Sequence, residues 1–204
     1  MGKGMRGRRG KATRPGTHSE TTGLKRPAGI IGVIAVLNQM EADGIVDRYA
    51  IGGAVGATFY LEPVATQDVD VFVAFKGQMT QGLIDPRPVF DYLIAHGGRV
   101  EGKHIVIAGW PVQLLPSTGP LVDEALAEAI TMDVADVSVR VLTGEHLATI
   151  ALDTGRIKDH LRLLQFIETG TINMERFEQI CRKHGLLDKW RAFERKYPEV
   201  NSES

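Results

Sequence analysis

Apolar positions along the chain change period several times, and each change marks an expected element. Ile30, Ile31, Val33, Ile34, Leu37 and Met40 recur at helical spacing, with Gly44 as a stop. A short apolar strand over residues 49–51 then enters a tight turn at Gly52-Gly53, and residues 54–61 read as a short helix. From Thr66 the pattern alternates. Val69, Val71 and Val73 share one strand face, and Asp68, Asp70 and Phe72 the other, so the valines should pack inward and the aspartates face a cleft. Residues 88–94 predict a helix entered by Pro86 and Pro88 and ended by Gly97-Gly98. Strands are expected at 99–100, 104–108, 111–115 and 137–142, with a helix over 120–132.

From Gly144 onward the pattern is helical. Ile157, Leu161, Leu164 and Glu168 mark one helix face, and Asn173 caps a second helix through Phe177 and Ile180 to Lys183. A third carries Leu187, Trp190, Phe193 and Tyr197 and ends before Pro198. Mixed elements with short connections predict an α/β (α+β) fold, a mixed-sheet domain with a C-terminal helical extension. The expected division is a tail at 1–26, the sheet domain at 27–150, helices at 151–198 and a tail at 199–204. No period of 20 to 50 residues repeats, which argues against a solenoid.

Composition narrows the setting. An apolar fraction of 43% in 204 residues suffices for a real core and excludes disorder throughout. Cys181 is the single cysteine, so no intrachain disulfide can form and a reducing compartment is expected. The longest apolar run, residues 28–37, is too short to span a bilayer. The basic N-terminal segment has no signal-peptide pattern, so a cytoplasmic protein without membrane contact is expected. The net charge of −1 hides an asymmetry: residues 1–26 hold eight basic side chains against Glu20 alone, leaving −8 on the rest. The Gly-rich run Arg6-Gly7-Arg8-Arg9-Gly10 suits non-specific contact with nucleic-acid phosphates, or serves as a solubilising extension.

The chemistry concentrates between Tyr49 and Phe75. Asp68 and Asp70 leave the same strand face about 6.5 Å apart. At an effective dielectric near 20 they repel by about 2–3 kcal/mol. A purely structural strand gains nothing from that cost; a divalent cation such as Mg²⁺, or Mn²⁺, relieves it and keeps positions open for phosphates. Gly52 and Gly53 let backbone N–H groups approach a ligand, and the helix start behind them adds donors. No Gly-Lys-Ser/Thr follows, and no Gly-x-Gly-x-x-Gly is present, so neither a P-loop nor a dinucleotide fingerprint is read here.

Ile51-Gly52-Gly53 followed by Asp68-Val69-Asp70 resembles the polymerase-β-like nucleotidyltransferase superfamily. Thr66 matches a subset that includes abortive-infection (AbiEii-like) toxins. Later segments around Pro111–Pro116, residues 139–147 and 155–159 extend the resemblance over about residues 28–168. It implies Mg²⁺- or Mn²⁺-dependent transfer of a nucleoside monophosphate from a nucleoside triphosphate to an acceptor: RNA, protein or small molecule. On that resemblance Asp68 and Asp70 are catalytic metal ligands, and Gly52, Gly53, Thr66 and Lys158 bind the nucleotide. One departure stands out. The superfamily's third carboxylate should fall on the strand at 111–115, where the matching residue is Gln113, which can neither act as a base nor add charge to a metal site. The alternative is a non-catalytic nucleotide sensor or a toxin–antitoxin component.

Other residues have plainer readings beside functional ones. Lys158 and Arg156 can reach a triphosphate or pair with Asp159 or Glu168 on the helix surface. His18, His96, His104, His146, His160 and His184 show no paired metal spacing, which argues against zinc. Cys181 reads as packing rather than a nucleophile, and Trp110 as packing at a strand entry rather than a base-stacking platform.

Overall fold

Strand alternation splits the core in two. The structure, a computed structural model, describes residues 1, 29–75, 79–80 and 83–198. Apart from Met1, the basic tail and the 199–204 tail lie outside the described residues. The strands are β1 (Val46–Ile51), β2 (Val69–Phe75), β3 (Met79–Thr80), β4 (Leu83–Ile84), β5 (Arg99–Glu101), β6 (His104–Ile107), β7 (Trp110–Pro116), β8 (Ile130–Val134) and β9 (Val137–Val141). Seven of them form one mixed sheet in the order β5-β6-β7-β2-β1-β9-β8, while β3 and β4 pair separately. β2 runs parallel to β7 and antiparallel to β1, and β1 runs parallel to β9.

Helices cover both faces. The helices α1 (Ile30–Ala42), α2 (Gly53–Ala57) and α3 (Arg87–Ala95) precede α4 (Pro120–Ala127), α5 (Gly144–Thr154), α6 (Ile157–Glu168), α7 (Met174–Lys183) and α8 (Leu187–Lys196). Val33, Leu37, Val89 and Leu93 from α1 and α3 pack with Val69, Val71 and Val73. On the opposite face Ala50, Phe72 and Leu142 meet Leu147, Leu163, Phe166, Phe177 and Trp190. The expected partition of β2 therefore holds: its valines are fully buried, and Asp70 emerges on the face of Phe72. Among the described residues no helix is long and apolar enough to cross a membrane.

One cap anticipated by the sequence fixes the start of α7. Asn173 Oδ1 accepts from the Arg176 amide at 2.9 Å at the start of α7. Thr143 caps α5, whose end is Gly155 in the left-handed conformation, φ 69°. The expected domain division at residue 150 falls inside α5.

Three expectations need correction. The helix expected over 54–61 is only α2, and turns carry the chain toward Pro63, which disfavours helix at the residue before it. The helix expected over 120–132 stops at Ala127, and β8 follows. There Ile130–Val134 pairs with β9 through Ala135 and Asp136, both at positive φ (48° and 63°), the geometry of a two-residue hairpin turn. The face of α6 is also misassigned: Asp159, Leu163 and Phe166 are buried, whereas Ile157 is 80% and Leu161 56% exposed. Phe166→Ala should accordingly cost about 3–5 kcal/mol, and Ile157→Ala no more than about 0.5 kcal/mol. Urea unfolding of both variants checks the assignment; equal costs would refute it.

Candidate active site

The pleat of β2 carries Asp70 onto the face where α4, α5 and α6 leave the sheet partly uncovered. The result is a cleft of about 630 Å³, within the usual range for small-molecule sites. Asp68 and Asp70 both line it, with Gly53 and Thr66 at the glycine corner and Lys158 and Arg156 on α6. Thr66 Oγ1 donates to the Asp68 carbonyl at 3.1 Å, closing the turn that delivers Asp68 to the head of β2. These six residues come together as expected; what each does differs from expectation in places.

Gly52 is used structurally. Its N–H donates to the Asp70 carbonyl at 2.9 Å, so the phosphate-donor role expected of it is already taken. A Cβ there would stand 2.4 Å from the Phe72 ring, so glycine is required by packing. Gly53, at φ 57°, is the residue that meets the site: a Cβ on it would lie 2.0 Å from Asp70 Oδ2. The helix behind the corner, α2, has five residues and contributes little dipole. Positive charge comes from side chains instead.

Those side chains stand on α6. Asp159, 2% exposed, accepts from Arg156 Nε at 2.6 Å and lies 3.4 Å from Arg162 Nη1. The partner expected for Lys158 is thus taken by two arginines. Lys158 is exposed and borders the cleft. Burial, then the neighbouring Asp68 charge, raises the Asp70 pKa, while Lys158, Arg162 and Arg156 pull it the other way. Net, the carboxyl sits above its ordinary value, so its negative charge is incompletely relieved.

Gln113 stands out in the sequence, but two neighbours at this face, Lys103 and His104, went unread. Gln113 pairs with Asp70 across β2 and β7, where the third carboxylate was expected, and its Oε1 accepts from Lys103 Nζ at 2.8 Å. His104, set aside as an isolated histidine, places Nε2 3.1 Å from Asp68 Oδ2. The signal was the two-residue turn at Ala108-Gly109, which pairs Ile107 with Trp110 and fixes the register of β6 on β7.

A second polar cluster lies where α4, α5 and α7 meet. Glu124 Oε2 accepts from Lys183 Nζ at 2.6 Å and His184 Nε2 at 2.7 Å, and Arg176 forks onto Glu128. Burial raises the Glu124 pKa, but hydrogen bonds from Lys183 and His184 outweigh it and the net shift is downward. His146 is fully buried, and burial lowers its pKa, so the neutral ring gains no ion pair with Glu124 Oε1 at 3.8 Å. Its Nδ1 bonds Thr143 Oγ1 and its Nε2 has no partner. Glu124, Glu128 and His146 bring one ligand atom each within 4.8 Å of one another, a group that could hold a metal ion. It contains one histidine and two glutamates, so it leaves the sequence argument against zinc standing, and a cation would compete there with Arg176, Lys183 and His184. Elsewhere, Cys181 is buried with its thiol pushed up to about 12 by burial, as its packing role requires. His160 lies edge-on to Phe193 and Tyr197, and Trp110 packs against the first core.

The fold is that of nucleotidyltransferase-like proteins. An antigenic nucleotidyltransferase-like protein from Paracoccidioides brasiliensis superposes with a TM-score of 0.57 at 15% identity, over 84% of this chain and 90% of that one. ANT(2'')-Ia in complex with adenylyl-2''-tobramycin gives 0.50 at 16% identity, over 82% and 98%. No family model and no curated protein matches the sequence.

The raised Asp70 pKa has a sign that can be checked. The unfolded chain loses this proton near 3.8 and the folded chain at higher pH, so the charged carboxylate subtracts from stability as pH rises above 3.8. Metal-free Asp70→Asn should melt above the wild type at pH 7, with the gain shrinking as pH falls toward 3.8. A lower melting temperature at pH 7 would mean that the cations of α6 outweigh burial.

Proposed function

We propose that this chain is a nucleotidyltransferase that moves a nucleoside monophosphate from a nucleoside triphosphate to an acceptor. The observation that carries the reading is the meeting of Asp68 and Asp70 with Gly53 and the basic side chains at the start of α6 in one cleft, on a fold shared with nucleotidyltransferase-like proteins. Asp68 and Asp70 fit a divalent cation: they are close carboxylates in a partly buried cleft, and Asp70 carries charge that its neighbours leave unrelieved. Bound there, Mg²⁺ or Mn²⁺ would neutralise phosphate charge and act as a Lewis acid.

The chain's own residues supply position and charge. Lys158 and Arg156 stand on the cleft wall facing the aspartates, placed to meet triphosphate oxygens. Asp159 holds Arg156 in place beforehand, so little ordering remains for the ligand to impose. Phe72 and Leu115 give the cleft an apolar wall. An acceptor lone pair attacks the α-phosphorus, the bond to the bridging oxygen breaks, pyrophosphate leaves, and the acceptor proton passes to solvent. Catalysis of this kind rests on orientation and electrostatics rather than a covalent intermediate. The acceptor is RNA, a protein side chain or a small molecule. ANT(2'')-Ia, which shares the fold, was solved with adenylyl-2''-tobramycin, which makes hydroxylated small molecules one class to try.

A second reading is favoured by Gln113. Opposite Asp70 and engaged by Lys103, it offers no third carboxylate, which suits a nucleotide sensor or a toxin–antitoxin component that binds without transfer. Incubation of the full chain with α-labelled nucleoside triphosphates, Mg²⁺ or Mn²⁺ and fractionated RNA, protein and small-molecule acceptors separates the two. Transfer of label that falls by about 10²-fold or more in Asp68→Asn and in Asp70→Asn supports the enzyme. Metal-dependent thermal stabilisation by a triphosphate with no label transferred supports the sensor. Neither transfer nor stabilisation would overturn both.

A further inference from the structure

Three adjacent strands present one residue each in a row, two in the cleft lining and the third beside it. Asp70 on β2 is paired with Gln113 on β7. The β6–β7 register runs Ile107 with Trp110, Val106 with Pro111 and Ile105 with Val112, so its next step sets His104 opposite Gln113. Paired residues on neighbouring strands point to the same face, which puts His104 on the side of the aspartates. Gln113 does not reach them: its Oε1 is engaged by Lys103. His104 does, with Nε2 3.1 Å from Asp68 Oδ2, both side chains about a quarter exposed.

We propose that His104 is a protein ligand of the divalent cation, completing with Asp68 and Asp70 a site of two carboxylates and one imidazole. This rests on the reading of Asp68 and Asp70 as metal ligands. Adjacent ligands of an octahedral cation at about 2.1 Å stand about 3 Å apart, close to the present Asp68–His104 separation. Among the described residues only the Glu124 group brings three such ligand atoms within 4.8 Å, so loading requires the Asp70 carboxyl and the Asp68–His104 pair to draw together. The donor set has a chemical consequence. Mg²⁺ takes hard oxygen ligands, whereas imidazole suits first-row transition ions. A site in which imidazole replaces the missing carboxylate therefore prefers Mn²⁺ or Co²⁺ to Mg²⁺.

The test uses the full chain stripped of metal by chelation, loaded with Mn²⁺ or Mg²⁺ alone and followed by calorimetry and by pulsed electron paramagnetic resonance of Mn²⁺. Wild type should bind Mn²⁺ at least about tenfold more tightly than Mg²⁺ and show ¹⁴N coupling from a directly bound imidazole. In His104→Ala the Mn²⁺ affinity should fall by about tenfold or more, the Mg²⁺ affinity should stay within about twofold, and the ¹⁴N coupling should vanish. His104→Asp, a three-carboxylate site, should invert the preference toward Mg²⁺. His146→Ala should leave the ¹⁴N signal intact; its loss there would assign the nitrogen to the Glu124 cluster and overturn the proposal. Unchanged Mn²⁺ affinity and coupling in His104→Ala, with binding abolished in Asp68→Asn, overturns the role of His104 alone. If Asp68→Asn and Asp70→Asn bind both ions as wild type does, the aspartate reading itself falls.

Discussion

Two carboxylates on one strand face, kept half in shadow by the helices above them, set the terms for everything around the cleft. The pleat of β2 sets Asp70 on the cleft side and the Thr66 turn delivers Asp68 beside it, while Val69 between them, fully buried on the other face, leaves no freedom to turn away. A one-residue slip of β2 would carry the aspartates into the first core and the valines into the cleft. The register of β2 against β1 and β7 is therefore held by burial as well as by hydrogen bonds. What surrounds the pair is compensation: a side-chain-free corner at Gly53, and basic groups across the gap on α6.

The basic groups are themselves organised by an acidic one. Asp159 is nearly inaccessible and would be costly to bury alone. Arg156 and Arg162 make its burial tolerable, and in exchange both guanidiniums lose much of their freedom. Burial lowers the Arg162 pKa, while Asp159 and Asp70 act against that fall. The helix thereby presents fixed charge toward the aspartates rather than flexible surface arms.

The central unit was legible in the sequence because its signals are local. Alternation over 69–73 gives the strand, its faces and the direction of both aspartates, and Gly52-Gly53 gives the corner. Asn173 marks a helix start by side-chain chemistry that needs no distant partner. Misreadings arose where tertiary context decides. Residues 130–132 read as the end of the Ala-, Glu- and Leu-rich helix before them, although their β-branched members suit the strand that pairs with β9. Ile157 and Leu161 fit an apolar stripe by spacing, yet the helix turns Phe166 and Leu163 to the core and leaves them in water. His104 and Lys103 were invisible as site residues because strand pairing alone brings them to Asp68 and Gln113, a relation no single window contains. Gly52 was recognised for the wrong reason: its lack of a side chain serves the Phe72 ring, and its amide serves the Asp70 carbonyl.

The contact between Gly53 and the Asp70 carboxyl also binds the history of these two positions together. With 2.0 Å between a hypothetical methyl and Oδ2, neither residue can grow unless the other shrinks or the two strands part. Mutational drift at the corner is thus blocked while the acid remains. A lineage that abandoned the acid would lose the clash but keep the left-handed backbone at φ 57°, so the glycine should outlast the acid.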